Sequence, residues 1–152
     1  MNNALNILNK FKFSVLSRIT GVKSSEIESA LTSKVAHQLY LRIVNNIGHE
    51  LVKYGFRKQG SINFIRTLGA CYQKINFQKS AYGPTMTANI AYQEPIVNDA
   101  ETLKHRLPNC KRLGELDSGF DKWYPISRNY ENTTTLLLKI INRKVIPYLD
   151  KI

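Results

Sequence analysis

The sequence predicts an α+β fold, and three stretches carry that expectation: a helical stripe beginning at Ser33, a β-hairpin between Cys71 and Tyr92, and a second helical stripe near the C-terminus. At 152 residues the chain fits one domain, and a chain of that size buries roughly two-thirds of its unfolded surface without needing a disulfide or a metal. The expected layout is an N-terminal helical extension over residues 1–32 and a single α+β domain over 33–152. That domain would hold an antiparallel meander of about four or five strands with the C-terminal helix packed on it.

Taken in order, Leu5, Leu8, Phe11, Val15, Leu16 and Ile19 form a loose helical stripe that stops before Thr20-Gly21. Ser24-Ser25-Glu26-Ile27-Glu28 offers a cap and first-turn acids for a short helix over Ser25 to Leu31. Val35, Leu39, Ile43, Ile47 and Leu51 then recur every fourth residue, flanked by Tyr40, Val44 and Val52, and Gly55 stands where a left-handed residue would end that helix.

Ser61 to Leu68 has strand composition with imperfect alternation, and Gly69 leads from it into the hairpin. If Ala81 to Pro84 make a four-residue loop, then Gln78 pairs with Thr87, Asn76 with Asn89 and Lys74 with Ala91. Side chains alternate with period two in a strand. Ile75, Phe77, Met86, Ala88, Ile90 and Tyr92 therefore share one face, and Asn76, Gln78, Ser80, Thr85, Thr87 and Asn89 the other. The apolar face needs a covering layer, which the long helix supplies.

Glu94-Pro95 to Leu103 reads as a loop, Lys111 to Leu116 as a fourth strand, and Asp121 to Ile126 as a short edge segment. The closing helix is capped by Asn132 or Thr133, carries Leu137, Ile140, Ile141, Val145, Tyr148 and Leu149 on its inner stripe, and is kinked or ended by Pro147.

Composition adds one outlier, a net charge of +11. Residues 1–60 hold nine Lys/Arg against three Asp/Glu, so over half the excess is N-terminal. Such a field draws nucleic acid, anionic membrane or an acidic protein alike. No block of like charge occurs, and solubility alone also accounts for it. The first thirteen residues lack an apolar run and a small-residue cleavage site, and no segment has the roughly 18 apolar residues of a membrane span. A soluble cytoplasmic protein is expected. Cys71 and Cys110 have no Cys-x-x-Cys spacing and are expected as buried thiols.

Gly55-Phe56-Arg57-Lys58 after a helix, Ile75 to Ser80, Asn89, Arg112-Leu113-Gly114 and Asp121-x-Trp123 follow one another in an order that resembles the bacterial domain-of-unknown-function family numbered 4304. The likeness spans roughly residues 38–150 and departs from the pattern at Ala91, where a Gly is common, and at Tyr124, in place of a second Trp. The resemblance implies an α+β bacterial intracellular domain and supplies no catalytic residues.

Chemistry-bearing patterns are sparse. Glu115 and Asp117, alternating on a strand with Asp121 following, would offer a divalent ion too few oxygens, and a solvated strand end is the simpler account. His37 and His49 lack ligand spacing, and His105 lacks an orienting acid. No catalytic residue, metal or cofactor is assigned. The better lead is the uncharged hairpin face: Asn76, Gln78, Ser80, Thr87 and Asn89, with Arg112, Trp123 and Tyr124 as anchors at its margin. A structural network would use the same groups. The expectation is a non-catalytic binding module for an acidic protein partner, by analogy of the toxin-neutralising or defence-associated kind. A basic nucleic-acid-associated module is the alternative and a small enzyme the third; oligomeric state is not legible. Phe77 and Tyr92, on the apolar face, count against an RNA-binding sheet.

Overall fold

The long helical stripe folds as read, and it sets the plane on which the rest is built. The computed structural model describes residues 32–94 and 109–152. Contacts divide the chain into two compact units, Met1–Thr32 and Ser33–Ile152. The helices expected over 5–19 and 25–31, and most of the loop expected over 94–103, lie outside the described residues.

Helix α1 spans Ser33–Leu51 and buries Leu39, Tyr40, Ile43, Val44, Ile47 and Leu51. A 3-10 turn, Val52–Tyr54, closes it, and Gly55 at φ 81° donates its N–H to Val52 O, the left-handed stop that only glycine adopts without strain. Val52, expected to flank the stripe, is exposed because the 3-10 turn tightens the helical phase there.

Six strands follow: β1 (Arg57–Gln59), β2 (Asn63–Leu68), β3 (Cys71–Lys79), β4 (Thr85–Gln93), β5 (Asn109–Arg112) and β6 (Tyr124–Pro125). The sheet is antiparallel in the order β1-β2-β3-β4-β5, with β6 also paired to β4. The hairpin register is the expected one, with Lys74↔Ala91, Asn76↔Asn89 and Gln78↔Thr87, closed by Ser80 N–H on Thr85 O at 2.8 Å. β1 was not expected; three exposed polar residues give no alternation to read.

The inner face of the sheet carries Phe64, Ile75, Phe77, Met86, Ala88 and Ile90, all 2 % exposed or less. Burying a side chain of that size is worth about 1.5–3 kcal/mol. The helix meets it closely: a Cβ on Gly48 of α1 would fall 2.5 Å from the Phe64 ring, so glycine is what lets helix and strand approach.

The segment expected as a fourth strand is corrected. It remains extended only through Arg112, and Leu113–Ser118 is a short helix, α2. Glu115 accepts the Arg112 N–H at 2.6 Å, and Gly119 at φ 83° ends the helix; an acid three residues in and a closing glycine outweigh weak strand composition. β5 and β6 thus lie along the same edge of β4, separated by an excursion over residues 113–123. Gly114 holds that excursion shut, since a Cβ there would sit 2.8 Å from the Phe120 carbonyl.

Helix α3 (Tyr130–Ile140) runs through a π turn (Ile141–Val145) into α4 (Ile146–Leu149). It starts at Tyr130, earlier than the caps expected at Asn132 or Thr133; Thr133 instead donates to Pro125 O at 2.8 Å and ties the helix to β6. In the π turn Ile146 N–H reaches back to Ile141 O. The widened turn directly precedes Pro147, whose ring would clash in a regular helix, so the helix continues past it. A polar tie fastens this end to the sheet: buried Arg66 donates to Gln73 at 2.7 Å and pairs with Asp150, while Gln73 donates to Leu149 O at 2.7 Å. The fold is α+β, with the C-terminal helix packed on the sheet. Among the described residues no helix is long and apolar enough to cross a membrane.

Candidate functional site

Register decides which side chains meet on the outer face. Following the pairs across the sheet, Gln59↔Asn63, Asn63↔Asn76, Asn76↔Asn89 and Asn89↔Arg112 place four amides and a guanidinium in one row over five strands. Directly opposed side chains in adjacent strands stand close enough to bond. Asn76 donates to Asn63 Oδ1 at 2.7 Å, and Asn89 donates to Asn76 Oδ1 at 3.1 Å. Each step uses one donor and one acceptor, so the amides keep hydrogen-bonding capacity in reserve. Asn63, Asn76 and Asn89 are half-buried.

Arg112 ends the row. Its guanidinium lies 5.1 Å from the Trp123 ring centroid, within cation–π range. Its ion-pair contact is loose, Nε to Asp121 Oδ2 at 3.9 Å with Asp121 half exposed. Nη1 is shielded from water and, among the described residues, has no hydrogen-bond partner. The excursion supplies this arrangement: Arg112 stands at its start and Trp123 at its end.

The carboxylates weighed for a cation are spread out. Glu115 caps the Arg112 N–H, Asp117 accepts from Tyr124 at 3.0 Å and lies 3.7 Å from Lys122, and Asp121 faces Arg112. Their alternation on one strand face does not exist, because Glu115 and Asp117 are helical.

The remaining candidates divide. Gln78 is exposed on the same face, one pair beyond the row. Thr87 is 1 % exposed and donates to Lys122 O at 3.4 Å, so it braces the excursion. Ser80 accepts the Tyr82 N–H at 3.1 Å and shapes the hairpin turn. Tyr124, expected as a marginal anchor, is corrected: it opposes Met86, belongs to the inner face and is fully buried. Burial, with the Asp117 carboxylate as acceptor, holds its phenol well above the usual range. A strand residue next to Trp123 has to point the other way.

The outer face is not polar throughout. Ile65, Tyr72 and Ala91 are buried there and Cys110 packs against them, which explains why Ser61 to Leu68 alternates imperfectly. Burial raises the Tyr72 phenol, with Arg57 opposing. Asn63 and Gln59 were missed in the sequence; the two-residue connection that pairs Leu68 with Cys71 is the signal that would have aligned Asn63 with Asn76.

No curated protein and no solved structure matches the chain. A family model described as "Domain of unknown function (DUF4304)" matches residues 47–151, which takes in the sheet, the excursion and the C-terminal helix and covers well over half of the sequence; the chain belongs to that family.

Proposed function

We propose that this protein is a non-catalytic binding module whose outer sheet face engages an acidic protein partner, in a role of the toxin-neutralising or defence-associated kind. The observation that carries the reading is Arg112: a part-exposed guanidinium 5.1 Å from the Trp123 ring centroid, whose ion-pair contact with Asp121 is loose at 3.9 Å. The Arg112 side chain is 32 % exposed, so a partner carboxylate can approach its exposed part, and a guanidinium already packed near Trp123 loses little freedom on binding. The amide row beside it offers uncharged donors and acceptors, and the net charge of +11 favours acidic partners over basic ones.

The test isolates the partner by capture on the full chain, then measures affinity with both proteins purified. Arg112→Glu and Trp123→Ala should each weaken binding about tenfold or more. Lys139→Glu, the same charge change on an exposed position of α3, should leave it nearly unchanged. Equal loss at Arg112 and Lys139 would mean that net charge alone attracts the partner, and no loss at Arg112 sinks the proposal.

One observation favours nucleic acid as a second reading. Trp123 lies on the polar face with Arg112, as an aromatic–basic stacking platform requires. Binding to generic DNA or RNA that falls steeply with salt, and whose slope flattens when Lys10, Lys12, Arg18 and Lys23 become Glu, would favour it over a protein partner.

A further inference from the structure

A cleft of about 570 Å³ opens where β3 runs past the end of β2. The β2–β3 pairing stops at Asn63↔Asn76, and the Phe77 N–H of β3 donates to Ile62 O, just before β2, at 2.9 Å. The first turns of α1 form the facing wall with His37, Tyr40 and Leu41. Leu41 and Ile62, half-buried, present apolar surface, and Tyr40 and Phe77 lie buried behind them. Burial pushes the Tyr40 phenol up to about 12, further from the neutral range in which any phenol is uncharged.

The other side of the cleft is polar and partly shared with the row described above. Asn76, Gln78 and Asn89 line it, and so does Lys79. The Lys79 ammonium donates to the Ser80 carbonyl at 3.2 Å, and among the described residues no carboxylate lies within ion-pair distance of it. Among the described residues that line it, none is acidic. Apolar walls with a few placed polar groups and a single unpaired cation select an amphipathic anion.

We infer that this cleft seats one apolar side chain, aromatic or large aliphatic, carried next to a carboxylate, and that Asn76 and Asn89 join it to Arg112 as two subsites of one recognition face. The identity of the carrier as an acidic protein rests on the function proposed above; the chemistry of the cleft does not. The amides that line the cleft are those that lead to Arg112, so a partner segment filling both places would present its apolar residue and a second acid across about two strand spacings, near 10 Å.

The test needs no partner. The 15N-labelled full chain is titrated with N-acetyltryptophan and with its neutral amide, N-acetyltryptophanamide. The acid should shift the backbone amides of Leu41, Ile62, Phe77 and Gln78 and bind about three- to fivefold more tightly than the amide, the margin expected of one partly exposed ion pair. Lys79→Ala should bring the two affinities together while the spectrum elsewhere stays native. Equal binding of both probes to the unaltered protein, shifts confined to other regions, or no shifts at millimolar probe would overturn the inference. Because these titrations contain no partner, their failure leaves the Arg112 measurement standing, and failure at Arg112 leaves the cleft standing.

Discussion

The two faces of the β3–β4 hairpin alternate with the same period and reach different ends. Inner residues Ile75, Phe77, Met86, Ala88 and Ile90 are all fully buried, and each has the same task of filling space against the helices. Outer residues are graded: Tyr72 and Ala91 are buried, Asn76 and Asn89 half-buried, and Gln78 exposed. Burial in this central stretch of the inner side follows from residue type, while at its far end Gln73 is buried through its bonds to Arg66 and Leu149 and Tyr92 is half-buried. On the outer side it depends on which residue of another strand lies opposite, so Asn76, bonded on both sides, and Gln78, two residues on, differ in environment though not in chemistry.

The largest effect that this contrast predicts is at Phe77. Its ring meets Phe64 edge-on at 5.9 Å, and truncation would remove both burial and that contact. Phe77→Ala should cost roughly 3 to 5 kcal/mol in chemical denaturation. A loss under about 1 kcal/mol would mean that the inner face is not the packed one.

A middle-sized effect separates the amide row from the rest of its own face. Asn76→Ala strands an acceptor on Asn63 and a donor on Asn89, and water can reach a half-buried site only in part. The expected cost is about 1 to 2 kcal/mol, and combining it with Asn89→Ala should cost less than the sum. Gln78→Ala, exposed, should move stability by less than about 0.5 kcal/mol. Equal costs at Asn76 and Gln78 would reduce the row to ordinary surface.

Much of this architecture was legible because it rests on local rules. The stripe from Leu39 to Leu51, the left-handed Gly55 and the pairing of Asn76 with Asn89 each follow from periodicity, a glycine or a loop length. What was not legible depends on contacts between distant strands. Arg112 joins the amides only because β5 pairs with β4, across residues 94–108, whose length and composition set no register. Tyr124 was assigned to the wrong side because its facing depends on the excursion ending in phase with Met86. The composition of the segment after Arg112 fits strand or helix, while the deciding signals, Glu115 and Gly119, act only once a helix has started.

The smallest effect concerns the two thiols, which the sequence treats as equivalent and the faces separate. Cys71 is 1 % exposed, and its thiol has only a weak contact with the Tyr72 carbonyl at 3.8 Å. Cys110 opposes Ala91 on the outer face and is half-buried against Ile65 and Tyr72. Reaction requires a thiolate that the reagent can reach, so a fully enclosed thiol waits for the fold to open, while a half-covered one needs only local movement. Titration of the native protein should therefore show one faster and one slow thiol, where composition alone suggests two slow ones. Cys110→Ser should remove the faster phase and leave the slow one intact, and in denaturant both thiols of the unaltered chain should react together. Two thiols of equal rate in the native protein would show that the outer cluster shields Cys110 as completely as the inner core shields Cys71, and the contrast between the faces would then be confined to the amide row.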